Sequence, residues 1–174
     1  SNELKAAIQK WCEKLEIPLV GVASVDRWKE PPFQPWMPEE FYPQSNPEAR
    51  SVIVIGLPIS LPVLETSPSV YYRELYSTVN SLLDQYTYRL ASYLTQLGHP
   101  SVFVPRDGYI GIRALLKNPV AIFSHRHAAF LAGLGSFGVN NMLLTPDYGP
   151  RVRFGSVFTS AVLPSDPIRD EKLC

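Results

Sequence analysis

The sequence predicts a mixed α/β (α+β) domain, a partly antiparallel sheet with helices packed on it. Three observations carry this. Two long segments repeat apolar residues at helical spacing, and short β-branched runs alternate with them. Near the C-terminus, two further apolar runs are joined by the turn sequence Pro146-Asp147-Tyr148-Gly149. The 174 residues, 45% of them apolar and 18% charged, suffice for one domain (1–174) with a sizeable core.

The elements follow in order. "ELKAAIQKWCEKLEI" places Leu4, Ile8, Trp11, Cys12 and Leu15 on one helix face, and "PLVGVASV" is a strand. The next stretch holds six prolines (Pro31, Pro32, Pro35, Pro38, Pro43 and Pro47), which forbid a regular element. It also holds Trp28, Phe33, Trp36, Phe41 and Tyr42, too aromatic for a solvated linker, so it should pack on the domain or line a site. "SVIVIGLPI" is apolar on both faces and reads as a central strand. In the segment from Val70 to Gly98, Tyr72, Leu75, Val79, Leu82, Tyr86, Leu90, Tyr93 and Leu97 recur at helical spacing, with Gly98 as the stop. Its tyrosines are expected to be core with a wet edge rather than a stacking platform. "SVFVP" is a strand, "DGYIG" a turn, and "IRALLKN" a short helix ending before Pro119. "SHRHAAFLAGLG" is helical with Ser124 as N-cap. "MLLTP" and "RVRFGSVFTSAVL" complete the set as an antiparallel hairpin.

Composition excludes several classes. A formal net charge of zero argues against nucleic acid as a partner of this domain. No apolar run reaches the ~18 residues of a membrane span, and no secretory leader pattern is seen, so a cytoplasmic location is expected. Cys12 and Cys174 lie too far apart for a disulfide framework or metal spacing, and Cys12 is expected in the core. There is no zinc motif, P-loop or Gly-x-Ser-x-Gly elbow. His125 and His127 flank Arg126; either could ligate or donate a proton, but an ordinary place in the first helical turn is the plainer expectation.

"AGLGSFGVNNMLLTPDYGPRVRFGS" poses the functional question. Gly133, Gly135 and Gly138 fit G-x-G-x-x-G. The dinucleotide fingerprint needs a strand before its first glycine and a helix after its last; here a helix precedes and a strand-like run follows. A helix C-cap at Gly133 or Gly135 would explain one or two glycines, but not Gly138, Asn140 or Asn141.

This block, continued through "RVRFGSVFTSAVLP", resembles the signature of the epoxyqueuosine reductases and their relatives the reductive dehalogenases, approximately A-G-L-G-x-x-G-x-N-x-L-L. The resemblance extends upstream through "LKAAIQKWCEKLEIPLVGVASVD" and "ARSVIVIGLPI", and so covers most of the chain. It implies a nitroreductase-like fold adapted to hold a corrinoid (cobalamin), in an oxidoreductase where a ferredoxin-type module with 4Fe–4S clusters follows. Cys174 falls where that module's first cluster ligand would stand; four thiolates are needed, so no cluster is expected in this chain, which alone is expected to be inactive. Electrons would arrive from that module to the small-molecule cofactor. The block departs from the pattern in carrying Ser136 and Val139 where an aromatic and a basic residue are common. Where the reductases place a proton-donating carboxylate, Pro119 and Val120 stand, and Asp107 is the nearest acid upstream, so no catalytic residue is assigned.

The cofactor-binding candidates are therefore Gly133, Gly135, Ser136, Gly138, Asn140, Asn141, Arg151 and Arg153. Glycines let backbone approach a flat cofactor, the asparagines can bond its amides or phosphate, and the arginines, facing one way on a strand, can pair with phosphate. A solvated hairpin face is the alternative for the arginines. A flavin-binding domain, or a cofactor-free docking or dimerisation module, remain alternatives for the whole, and a homodimer is left open. The glycine block, the arginines and the aromatic loop are expected to meet, with Trp36 or Tyr42 near residues 133–143.

Overall fold

The computed structural model describes residues 1–29, 49–106, 112–117 and 123–174. Helix α1 (Asn2–Lys14) leads into strand β1 (Leu19–Ser24) and a 3-10 turn (Val25–Lys29). Strand β2 (Ser51–Pro58), the short helix α2 (Leu61–Leu64), the long helix α3 (Val70–Gln96) and strand β3 (Ser101–Val104) follow. The rest comprises α4 (Ile112–Lys117), α5 (His125–Leu131), β4 (Ser136–Phe137), β5 (Leu143–Leu144) and β6 (Val152–Thr159).

The main sheet has the order β1-β2-β6-β3 and every pairing is antiparallel. The apolar run of β2 is indeed central: Val52 and Val54 face one layer, Ile53 and Ile55 the other, all fully buried. Helices α1 and α3 cover the second face, packing Ile8, Cys12, Leu83, Leu90 and Leu94 on the sheet. Helix α5, Trp28 and Phe123 cover the first. Such two-sided coverage explains why an antiparallel strand reads like a parallel one.

Two sequence expectations are corrected. The runs flanking Pro146–Gly149 do not pair with each other: β5 pairs with β4 as a separate two-stranded ribbon, and β6 inserts between β2 and β3. The turn itself closes through reciprocal Thr145–Gly149 backbone bonds of 2.9 Å. The buried stripe of α3 is also rotated, running through Val79, Asn80, Leu83, Thr87, Leu90, Ala91 and Leu94, while Leu97 is exposed. Two polar residues on this stripe hid it from an apolar count.

Helix α5 ends as the sequence suggests. Gly133 takes φ +77°, its N–H bonds the Phe130 carbonyl, and the Leu134 N–H bonds Ala129, which is a Schellman cap. The chain beyond Leu163 then covers the open edge of β1. Asp166 exchanges backbone and carboxylate bonds with Val22 at 2.8–2.9 Å, and Ser165 Oγ accepts from the Ser24 N–H. Capping an edge this way removes a template for unwanted strand pairing. The Lys5 ammonium, 2.7 Å from the Asp166 carboxylate, ties α1 to the same point.

Candidate functional site

The strands β2 and β3 end, and β6 begins, at one end of the sheet, as the pairing of Pro58 with Val152 fixes. A cleft of about 650 Å³ opens there between α3 and the start of α5. Ile59, Phe123, Val152 and Phe154 give it apolar walls, and Tyr72, Ser124, His125 and Asn80 supply further polar groups. Four arginines line it, Arg106, Arg126, Arg151 and Arg153, and no carboxylate does among the described residues. In a chain of zero net charge this is a local concentration of one sign, which focuses anions.

Each arginine is held in place. Arg151 Nη1 donates to the Ile59 carbonyl at 2.8 Å, which anchors the start of β6 to the end of β2. Arg153 lies 4.1 Å over the Tyr76 ring and donates to its hydroxyl at 3.2 Å. Arg106 Nε lies 3.5 Å from the Asp84 carboxylate. Arg126 Nη1 donates to the Asn141 carbonyl, so the cleft wall is joined to the glycine-block loop, whose Met142 also lines the cleft. A guanidinium carries five N–H donors, so the anchoring bonds of Arg151 and Arg153 leave donors for an anion.

The histidines are both built into the start of α5. His125 lines the cleft, its Nδ1 2.8 Å from the buried Ser156 hydroxyl and Nε2 3.2 Å from the Pro105 carbonyl. His127 Nδ1 lies 2.6 Å from Ser124 Oγ, and its ring packs on Phe137. Burial, assisted by the neighbouring Arg126 charge, pushes the His127 pKa below its ordinary value.

The glycine block sits beside this cleft and packs tightly against neighbouring segments. A Cβ on Gly133 would run into the Pro167 carbonyl. One on Gly135 would stand 2.9 Å from the Leu144 carbonyl carbon and nearer still to its oxygen. One on Gly138 would stand 3.1 Å from Cys174 Sγ. Ser136 Oγ donates to the Glu171 carbonyl, and Arg169 Nε donates to that of Gly133 at 2.8 Å. Asn140 Oδ1 accepts from the Met142 N–H at 3.1 Å, and Asn141 adopts φ +61°. The cleft lining thus takes in Arg151 and Arg153 but not Gly133, Gly135, Ser136, Gly138, Asn140 or Asn141.

Of the aromatic proline-rich segment, Trp28 is described. It is fully buried and stacks on Phe123, a wall of the cleft, with ring centroids 6.1 Å apart. Trp36 and Tyr42 lie outside the described residues, as do Asp107, Pro119 and Val120. Asn80, Arg106 and Arg126 were missed in the sequence. The available signal was Asn80 itself, a carboxamide three and seven residues before Leu83 and Thr87 on the packed stripe. Among the described residues no three His, Cys, Asp or Glu side chains group as a metal site, and no helix is long and apolar enough to cross a membrane.

No protein-family model matches the chain. Over 120 residues it is 31% identical to a tetrachloroethene reductive dehalogenase of Desulfitobacterium hafniense, covering 69% of this chain and 19% of that protein. The enzyme of the same description from Dehalobacter restrictus is 30% identical over the same length. Among solved structures, epoxyqueuosine reductase from Streptococcus thermophilus superposes with a TM-score of 0.62 at 18% identity, over 96% of this chain and 48% of that one. A catabolic reductive dehalogenase superposes with a TM-score of 0.53 at 18% identity, over 87% and 20%. The chain therefore spans about a fifth of the curated relatives and about half of the epoxyqueuosine reductase. These are the two groups whose signature the glycine block resembles, and their fold is the fold of this chain.

Proposed function

We propose that this chain, a relative of the epoxyqueuosine reductases and reductive dehalogenases, is the cofactor-holding domain of a reductase, and that the cofactor is a corrinoid seated at the arginine-lined cleft. The observation that carries this is the donor set: Arg126, Arg151 and Arg153 line the cleft beside apolar walls, with no carboxylate among the lining residues, while Arg106 is paired with Asp84. It suits a ligand with a phosphate and a broad apolar body. A corrinoid has both, together with peripheral carboxamides. Arg151, Arg153 and Arg126 would hold the phosphate, and Met142, Asn140 and Asn141 on the adjoining loop would meet what extends past the rim. When bound, the corrinoid supplies the reducing centre; the protein orients it and keeps water from its buried face.

Cys174 enters the same proposal as a ligand of a 4Fe–4S cluster completed by thiolates outside this chain. Its sulfur stands against the site of Gly138, so the loop that borders the cleft also borders this thiol. A flavin mononucleotide is the second reading, favoured by the volume: about 650 Å³ is of the size that takes a small molecule whole.

Equilibrating the protein with hydroxocobalamin or with flavin mononucleotide, followed by gel filtration, tests the proposal. Co-elution of the corrinoid spectrum with protein is expected. Retention of the flavin alone would move the assignment to the second reading, and retention of neither would refute both.

A further inference from the structure

Helix α3 carries two polar residues on its buried stripe, and they are treated differently. Thr87 satisfies itself: its hydroxyl donates to the Leu83 carbonyl one turn back, at 2.8 Å. Asn80 does not. It is 1% exposed, and neither Nδ2 nor Oδ1 has a partner among the described residues. Leaving a buried donor and acceptor unpaired costs a protein stability, and asparagine is a poor residue for a helix interior as well. An apolar residue would pack at this position without either cost. Asn80 also belongs to the lining of the cleft that the four arginines share.

We propose that Asn80 is the residue that reads the ligand's identity in this cleft: its amide pairs with a neighbouring donor and acceptor on the ligand, a primary carboxamide or a cyclic imide, while the arginines hold an anionic group. This rests on the reading of the cleft as the cofactor site and adds what that site selects. The cleft then recognises a two-ended ligand. A charged end binds by pairing with guanidinium, and an amide-bearing end is checked at Asn80. A ligand with the anionic group alone gains nothing from Asn80. A site built around a buried hydrogen-bonding pair discriminates strongly, because the wrong ligand leaves it unsatisfied.

The test compares two probes on the full chain, hydroxocobalamin, which carries both phosphate and carboxamides, and inorganic pyrophosphate, which carries charge only. Asn80→Leu is expected to weaken hydroxocobalamin at least tenfold, to leave pyrophosphate affinity unchanged, and to melt no lower than the parent. Asn80→Ala, which adds no bulk, is expected to show the same split between the probes. Unchanged hydroxocobalamin affinity in either folded variant would overturn the assignment, and so would a parallel loss of both probes with a lowered melting point, which marks a structural role. If the parent protein binds neither probe, the cofactor reading of the cleft falls first and this inference with it.

Discussion

Gly135→Ala separates the glycine block's role in packing from any role at a ligand. The added methyl would stand 2.9 Å from the Leu144 carbonyl carbon and closer to its oxygen. Ordinary contact needs roughly 3.5 Å and the oxygen is the nearer atom, so backbone must move by about 1 Å or more. The obstacle is main chain in a paired ribbon, where Ser136 faces Leu144 and Phe137 faces Leu143, so it cannot swing aside like a flexible side chain. Overpacking of this kind costs about 1–3 kcal/mol, and about 2 kcal/mol is expected here. For a chain of this size that lowers the melting temperature by roughly 4–8 °C. Gly149→Ala is the control. It has φ +57° with nothing within 4 Å of the added carbon, so it should cost only the left-handed backbone term, about 1 kcal/mol. Thermal melts of both variants beside the parent decide the matter. A Gly135→Ala protein no less stable than Gly149→Ala would refute the argument that this glycine exists for the approach of Leu144.

Two further outcomes follow from titratable groups. Burial disfavours the charged form of His127, so the unfolded chain takes up that proton first; stability is full above the ordinary value of 6.5 and falls as pH drops below it. Chemical denaturation between pH 7.5 and 5 should show this fall, and His127→Gln should flatten it; an equal fall in the variant would assign it to another group. Burial, reinforced by Glu13, pushes the Cys12 thiol up to about 12, while Cys174 is exposed. Mass analysis after brief treatment with iodoacetamide at pH 8 should therefore show one adduct on the native protein, at Cys174, and two after denaturation; rapid native modification of Cys12 would contradict its place in the core.

Much of the scaffold was legible because local signals and tertiary packing agree. Ser124 caps α5 and Gly98 follows α3 with φ +90°, as the sequence indicated. The apolar run from Ser51 became a central strand, and Arg151 and Arg153, two apart at the head of β6, both line the cleft. What failed was pairing and rotation. The turn at Pro146–Gly149 looks like a hairpin, but the partner choice of β6 is made by the long-range ladder with β2, which covers eight residues. The face of α3 was misjudged because Asn80 and Thr87 are polar yet buried. The cleft was only half visible for the same reason: Arg106, Arg126 and Asn80 come from separate elements, and nothing in linear spacing links them. Within the glycine block, pattern alone cannot tell approach to a ligand from approach to Leu144 and Pro167.

The central claim is that the arginine-lined cleft holds the anionic part of a corrinoid. The most direct measurement is the dissociation constant of hydroxocobalamin for the parent protein and for the double variant Arg151→Gln, Arg153→Gln, at two salt concentrations. Charge-assisted bonds contribute about 1.5–3 kcal/mol each, so the double variant should bind at least tenfold more weakly, and the parent should lose more affinity on adding salt than the variant does. Equal affinity and equal salt dependence in the two proteins, both folded, would contradict the account.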